Sequence, residues 1–230
     1  MSKRIFDLCL ASLALVLLSP VMVAVAVLVK RDSRGPVFEL VRRAGRGGIA
    51  FNMIRFRSKQ TSEPSDGAIL PLDPTQATAS SALIAKYKLD KLPQLINVLR
   101  GEMSLVGPQP ELEEAVEHYS WRERRVLLVR PGLTDWASMW NDQQPRVLAG
   151  APDPHEAYQR VIHPDKIRLQ TYYVENRTLW MDCRIVMCRL WKLVNRRFAP
   201  RELAEYPTST QLRARVARLV ATEQIYRRAA

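Results

Sequence analysis

The sequence is poor in cysteine and histidine, and each shortage excludes a class of structure. Its three cysteines, Cys9, Cys183 and Cys188, form no CxxC pair and no even-numbered disulfide framework, which favours a reducing compartment. Its three histidines are too scattered along the chain for a zinc site. There is also no internal repeat and no recognised nucleic-acid-binding motif, so no nucleic-acid partner is expected.

Acidic residues are scarce too. The 230 residues contain 23 Asp and Glu against 35 Lys and Arg, a formal net charge of +12 with a pI near 10.1. Such an excess attracts polyanions, whether nucleic acid, an anionic membrane surface or phosphorylated ligands. Composition alone does not choose among the three.

Charge is absent altogether from residues 8–29. A helix of this length would reach about 33 Å, enough for the hydrocarbon core of a bilayer. The run is too long for the apolar part of a secretory signal, and Lys30 and Arg31 follow it instead of a small-residue cleavage site. A retained membrane segment is therefore predicted.

The segment has two features that bear on whether it spans the bilayer. Basic residues flank both ends, so the positive-inside rule favours neither orientation. Pro20 follows Ser19 just past the middle, where a proline bends a helix and a serine hydroxyl can satisfy the freed carbonyl. These residues leave two alternatives open, a simple span and a kinked, re-entrant helix that enters and leaves by the same face.

The remainder predicts a mainly helical chain with one small β-hairpin. Two apolar runs flank the turn Gly45–Gly48, and the arginines on them would form a cationic ribbon; residues 60–80 have loop composition. A helix is predicted from Leu83 to Gly101, a rigid turn over 104–111, a helix over 111–128 and one or two helices over 164–195. A basic helix over 208–230 would lie on a membrane, on a partner or on the domain itself.

The strongest chemical candidate is Asp90, at the predicted start of a helix, where the dipole would keep the carboxylate ionised and nucleophilic. Gln94 and Asn97 would share its helix face, and lysines surround it. On spacing alone the indication is weak, because an aspartate at a helix start is usually a cap.

The string KLDKLPQLINVLRGEMSLVGPQPELEE resembles the pattern LDELPQLxNVLKGxMSLVGPRPE of the bacterial sugar transferases, the small monotopic phosphoglycosyl transferases. RGPVFELVRRAGRGG with FNMIRFRS, VRPGLTDWAS and KIRLQTYYVENRTLWMDCRIV resemble further family motifs in the same order, over residues 2 to 197. The apolar segment with its central Ser19-Pro20 is similar to the family's re-entrant helix, and this favours the re-entrant alternative.

The resemblance implies a fold, a location and a reaction. We expect a re-entrant membrane helix over 1–34, a compact α/β transferase domain with surface amphipathic helices over 35–198, and a basic extension over 199–230. The protein would lie at the cytoplasmic face of a bacterial inner membrane, in contact with membrane lipids. Its aspartate would attack the β-phosphate of a UDP-sugar with the help of Mg²⁺, and polyprenyl (undecaprenyl) phosphate would then take the phosphosugar.

Carried onto this chain, the resemblance makes Asp90 the nucleophile and the metal ligand, with Lys91 in the catalytic position beside it. The predicted substrate-binding residues are Arg55, Arg57, Lys86, Gln94, Asn97, Pro108, Gln109, Pro110, Glu111 and Arg130. The sugar and the oligomeric state, a homo-oligomer included, are left open.

The sequence departs from the family pattern within the site. Lys91 replaces a glutamate, Gln109 replaces the arginine of Pro-Arg-Pro, Ala85 replaces a basic residue, and Arg55 replaces a lysine. Lys91 would weaken the attraction for Mg²⁺, and the loss of an arginine removes a bidentate phosphate donor. Three hypotheses follow: an active transferase with an altered site, an impaired member acting as a nucleotide-sugar- or lipid-binding scaffold, and an unrelated basic protein of the membrane surface or of nucleic acid.

Overall fold

A computed structural model describes residues 2–32, 35–57, 83–84, 87–142, 147–148, 151–195 and 198–229, without the side chains of 223–229. Helices predominate among them. The helices are α1 (Ser2–Asp32), α2 (Gln94–Arg100), α3 (Glu113–Glu117), α4 (Trp136–Trp140), α5 (Pro154–Ala157), α6 (His163–Asn176), α7 (Leu179–Val194) and α8 (Ser209–Ala229). The strands are β1 (Phe38–Ala44), β2 (Ala50–Phe56), β3 (Ser104–Val106) and β4 (Gly132–Thr134). The loop predicted over 60–80 lies outside the described residues.

The apolar segment forms one continuous helix, α1, with Pro20 inside it. Proline has no N–H for the carbonyl of Val16, and the Ser19 hydroxyl donates to that carbonyl instead at 2.8 Å. By length and composition α1 could cross a membrane. Its middle is apolar and exposed, with Val16 at 72% and Leu17 at 66%.

Both ends of α1 are fastened to the rest of the protein. At its start, Asp7 accepts hydrogen bonds from the Ser104 hydroxyl (2.8 Å) and the Leu105 amide (3.2 Å), and Lys3 donates to Asp182 at 2.6 Å. Near its end, Val25 and Val29 are buried in a separate apolar cluster. The other buried members of this cluster are Phe56 and Ile84.

The predicted hairpin is confirmed. β1 and β2 pair antiparallel from Phe38 opposite Phe56 to Ala44 opposite Ala50, around a turn in which Gly47 and Gly48 adopt the left-handed conformation that the sequence anticipates. The predicted cationic ribbon is wrong in part. Arg43 and Arg55 are buried, because the sheet face that carries them packs against the domain.

Two of the sequence motifs meet in a parallel pair of strands. Ser104 on β3 lies opposite Gly132 on β4, and Val106 lies opposite Thr134. The backbones approach so closely that a Cβ on Gly132 would come within 2.1 Å of the Gly107 nitrogen. Glycine is therefore required there for steric reasons, and the short pair fixes the SLVG and RPG segments against each other.

The helix predicted from Leu83 to Gly101 is wrong as a single element. Lys88 has a left-handed backbone (φ 54°), residues Leu89–Lys91 form one 3₁₀ turn, and α2 begins only after Pro93. Proline starts a helix readily but lacks the N–H that would continue one from the preceding turn. The predicted end is confirmed, since Gly101 terminates α2 with φ 87°.

Of the later helices, the one or two predicted over 164–195 are observed as two, α6 and α7. The helix predicted over 111–128 is wrong, because α3 ends at Glu117 and a 3₁₀ segment covers Glu123–Leu128. On these two helices Tyr173 and Ile185 are buried, whereas Trp180 (78%) and Trp191 (56%) are exposed.

The C-terminal helix α8 packs on the protein through Leu212 and Val216. Of the three predicted alternatives for the 208–230 helix, packing on the domain is the one observed.

Candidate active site

Asp90 lies in the 3₁₀ turn that precedes α2, not in the first turn of that helix. Its turn is placed by apolar neighbours, because Leu89 and Leu92 pack against the cluster that contains Val25 and Val29 of α1. The chain thus holds a half-exposed carboxylate on a turn that packs on the same apolar cluster as the end of α1.

The electrostatics of Asp90 differ from the prediction. Burial raises the pKa of this carboxyl above its usual value, and the positive charges of Lys91, Lys88 and Arg55 oppose that rise without cancelling it. The helix dipole contributes little, because the effect falls off within the first turn of a helix and Asp90 lies outside α2. The neighbouring cations thus favour the ionised form, but burial, which the sequence did not reveal, outweighs them and raises the pKa of Asp90.

Lys91, the neighbour of Asp90, has a pKa lowered to about 8 by burial and by the charges of Lys88 and Arg189, against the attraction of Asp90 and Asp135. A pKa of about 8 leaves the ammonium mostly protonated at neutral pH. Among the residues that the structure describes, this ammonium makes no ion pair or hydrogen bond. It is available to an anion.

A second carboxylate lies nearby but is already neutralised. Asp142 pairs with Lys88, with Arg189 (3.0 Å) and with Lys192 (3.2 Å). Burial alone would raise the pKa of Asp142, but the three cations outweigh it and lower that pKa. Sequence reasoning missed Asp142, Arg189 and Lys192 as neighbours of the site. The i, i+3 spacing of Arg189 and Lys192 in a predicted helix was the one available signal, and nothing in the sequence joined them to residue 142.

The arginines of the hairpin are differently engaged. Arg55 is almost fully buried and its Nε lies 3.0 Å from Glu39, the residue directly opposite on β1. It still acts on Asp90 electrostatically. Arg57 is half-buried, with its guanidinium against Gly35. Lys86, also predicted to bind substrate, lies outside the described residues.

Asn97 and Gln94 are both buried on α2. The Asn97 side chain accepts from the Ile54 amide (3.0 Å) and donates to the Asn52 carbonyl (2.8 Å) and to Glu102 (2.7 Å). Its polar atoms are therefore used within the protein, where they hold α2 to β2.

The Pro108–Glu111 loop contacts a different set of residues from those that act on Asp90. The Pro108 carbonyl accepts from the Gly132 amide at 2.8 Å, Gln109 and Pro110 are half-buried, and Arg130 is exposed. Burial would raise the pKa of Glu111, but its contact with Lys166 outweighs burial and lowers it. Glu111 also lines a cavity of about 130 Å³. The other residues lining this cavity are Ala115, His118, Tyr119, Glu123, Tyr158, Gln159 and His163.

The residues around Asp90 do not suit a magnesium ion. The described part of the chain contains no group of three or more His, Cys, Asp or Glu side chains that could hold a metal. Mg²⁺ takes oxygen ligands, and the groups that act on Asp90 are the cations Lys91, Lys88 and Arg55. The chemistry of this donor set favours an anion.

Comparison with known proteins agrees with the motifs. The family model for bacterial sugar transferases matches residues 1–196. The UDP-N-acetylgalactosamine-undecaprenyl-phosphate N-acetylgalactosaminephosphotransferase of Aeromonas hydrophila is 36% identical over 80% of this chain and 41% of its own length. The undecaprenyl-phosphate glucose phosphotransferase of Komagataeibacter xylinus is 35% identical over 81% of this chain and 34% of its own. The exopolysaccharide production protein ExoY of Rhizobium meliloti is 34% identical over 81% of this chain and 82% of its own. The chain thus spans well under half the length of the first two relatives.

Proposed function

Because the chain belongs to the bacterial sugar transferase family, we propose that it transfers a sugar-1-phosphate from a UDP-sugar to polyprenyl phosphate, a step that begins the assembly of an exopolysaccharide or glycoconjugate. One observation carries the proposal. Asp90 stands among cations on a turn whose leucines, Leu89 and Leu92, pack against the apolar helix α1. Such a position would suit a reaction between a charged, water-soluble donor and a lipid acceptor.

The proposed reaction has two steps. A carboxylate oxygen of Asp90 attacks the β-phosphorus of the donor, the bond from that phosphorus to the bridging oxygen breaks, and UMP leaves with the electron pair. A phosphate oxygen of the lipid then attacks the same phosphorus, releases Asp90 and forms the diphosphate-linked sugar. Asp90 must be ionised for the first step. Because its pKa is raised, the carboxylate is more basic, and therefore a stronger nucleophile, once it has lost its proton.

Lys91 and Lys88 supply positive charge where the phosphates would lie. Charge-assisted hydrogen bonds to phosphate are worth about 1.5–3 kcal/mol each. The Asp142 cluster keeps Lys88 in place, because the Lys88 ammonium pairs with that carboxylate. Of the two lysines, Lys91 is therefore the one left to meet the diphosphate directly.

We further propose that α1 lies in the cytoplasmic leaflet of the inner membrane as a re-entrant helix. Its support is the fastening of both ends to one folded body, through Asp7 at the start and Val29 near the end, with an exposed apolar middle between them. A spanning helix would carry its two ends to opposite sides of the bilayer. The helix α7 also exposes apolar side chains, and aromatic rings such as its Trp180 and Trp191 favour the lipid headgroup region.

The test is UMP release from UDP-sugars by the full chain in lipid nanodiscs that contain undecaprenyl phosphate. We expect Asp90→Asn to lower the rate by at least about a hundredfold, because an amide cannot serve as the nucleophile. Asp153→Asn is the matched control: Asp153 is an exposed helix cap, and asparagine caps a helix equally well. Equal rates for Asp90→Asn and the unaltered chain would refute the proposal, and a phosphosugar adduct on Asp90 would support the covalent step.

The alternative is a catalytically impaired member that acts as a nucleotide-sugar- or lipid-binding scaffold. The observation that favours it is the replacement of two site residues of the family pattern, by Lys91 and Gln109. A scaffold would bind UDP-sugar without releasing UMP. Restoring Lys91→Glu and Gln109→Arg together would then produce activity that the unaltered chain lacks.

A further inference from the structure

The charge distribution at the Asp90 site is unusual for a place where a metal is to meet phosphate. Lys91, Lys88 and Arg55 all act on Asp90, and the other nearby carboxylate, Asp142, is paired with three cations. A divalent cation beside Asp90 would therefore be repelled by at least two ammonium groups at short range. The same arrangement attracts a diphosphate.

The Lys91 ammonium is the distinctive group. It is half-buried, it is adjacent in sequence to the proposed nucleophile, and the described part of the protein offers it no ion pair or hydrogen bond. An ammonium withdrawn from water without a partner is costly, and an arriving anion removes that cost. Among the described residues, the Lys91 ammonium thus has no hydrogen-bonded counter-charge until an anion binds.

We infer that the Lys91 ammonium takes the place of a divalent cation at this site, so that the chain binds a nucleoside diphosphate without Mg²⁺. The identity of the ligand rests on the proposed function, whereas the absence of a metal requirement rests on the charges. Lys91 neutralises charge on the diphosphate that a metal would otherwise neutralise, and Lys88, held by Asp142, adds to the positive field.

The experiment is calorimetric binding of UDP to the full chain in nanodiscs, in excess EDTA and in excess MgCl₂. For the unaltered chain we expect affinities within about threefold of each other in the two buffers. Lys91→Gln removes the charge and should weaken binding in EDTA by about tenfold or more, the usual effect of losing one charge-assisted contact. Lys91→Arg keeps the charge and should retain most of the affinity.

Lys91→Glu reverses the charge and gives the decisive contrast. It places a second carboxylate beside Asp90, and UDP binding should become dependent on Mg²⁺, weak in EDTA and at least about tenfold tighter with the metal. Thermal melting and gel filtration of each variant establish that it is folded. If Lys91→Glu does not fold, the comparison of Lys91→Gln with Lys91→Arg decides alone.

The outcomes separate this inference from the proposed function. Loss of UDP binding by the unaltered chain in EDTA overturns the inference, even when UMP release with Mg²⁺ upholds the function. Metal-free, Lys91-dependent UDP binding without UMP release upholds the inference and favours the scaffold alternative. No UDP binding in either buffer overturns both.

Discussion

At the scale of the residue, the site is governed by how far two adjacent side chains are withdrawn from water. Burial raises the pKa of Asp90 and lowers that of Lys91, so the two pKa values lie closer together than those of the free side chains. The sequence identified both residues through the family motif. It did not predict that the pKa of Asp90 is raised, because burial of a side chain depends on packing between segments that are distant along the chain.

We expect UDP binding to weaken as pH rises through about 8. Lys91 is protonated below its pKa of about 8 and loses its charge above it, so its attraction for phosphate is present at pH 7 and lost at higher pH. Titration calorimetry between pH 7 and pH 9 measures the effect. In Lys91→Arg the guanidinium stays charged, and this decline should disappear; an identical decline in both proteins would assign it to another group.

Asp182 offers a residue-scale test of how α1 is fastened. It is buried, and it accepts hydrogen bonds from Lys3 and from the Tyr173 hydroxyl, both at 2.6 Å. Asp182→Ala removes the carboxylate that Lys3 and Tyr173 share, and it leaves each of them only the weaker hydrogen bond to the Val106 carbonyl, at 3.2 and 3.1 Å. We expect a loss of roughly 2–3 kcal/mol in the free energy of unfolding, less than for a fully buried pair because Lys3 keeps 35% of its side chain exposed.

The measurement is thermal or denaturant unfolding in detergent. Asp165→Ala, whose carboxylate pairs with a largely exposed arginine, Arg215, is the matched control and should lose well under 1 kcal/mol. Equal losses for the two variants would contradict the view that the Asp182 network fastens the start of α1.

At the scale of the element, some helices and strands could be predicted from the local sequence and others could not. The hairpin was predictable because Gly47 and Gly48 permit the turn and the flanking strands bring their own apolar side chains. The break between the Asp90 turn and α2 was not predictable, even though the sequence contains Pro93 at that point. The apolar spacing of Leu89 and Leu92 is compatible with a continuous helix and equally with the observed packing on the cluster that contains Val25 and Val29. The β3–β4 pair joins segments almost 30 residues apart and has no local pattern.

The close approach of β3 and β4 leads to a prediction at this scale. A methyl group on Gly132 would lie 2.1 Å from the Gly107 nitrogen, and backbone atoms cannot move aside as a flexible side chain can. Gly132→Ala should therefore separate the strands and cost about 3 kcal/mol or more.

Gly47→Ala is the control for Gly132→Ala, because nothing lies within 4 Å of the added carbon and only the left-handed backbone (φ 71°) is strained. A cost of about 1 kcal/mol is expected for it. Comparable melting temperatures for the two variants would show that the strand contact has room to relax.

At the scale of the whole molecule, the arrangement depends on α1 and the folded body sharing two separate contacts. The sequence predicted the apolar helix and its basic flanks, but the hydrogen bond between Asp7 and Ser104 and the cluster that Val29 shares with Phe56 join residues far apart in the chain. No periodicity in the sequence specifies such pairs. The limits predicted for the three regions of the chain stay predictions.

The proposed topology predicts that both ends of α1 face the cytoplasm. Single cysteines introduced at Ser2 and at Arg31, in a chain whose native Cys9, Cys183 and Cys188 are replaced by serine, should both react with a membrane-impermeant maleimide only after the inner membrane is opened. A cysteine at Leu17, in the exposed apolar middle of the helix, should stay unreactive within lipid and react in a solubilised, delipidated sample. Labelling of one end in intact spheroplasts would establish a span.

In the proposed membrane placement, the packing of Leu89 and Leu92 on the apolar cluster of Val25 and Val29 would link the bilayer to the chemistry at Asp90. A helix embedded in lipid tilts when the acyl chains around it lengthen or shorten, and a tilt of α1 would shift the apolar cluster on which the Asp90 turn packs. Lipid chain length should thus act as a tuning variable for this protein, as cell growth temperature changes the composition of its surroundings.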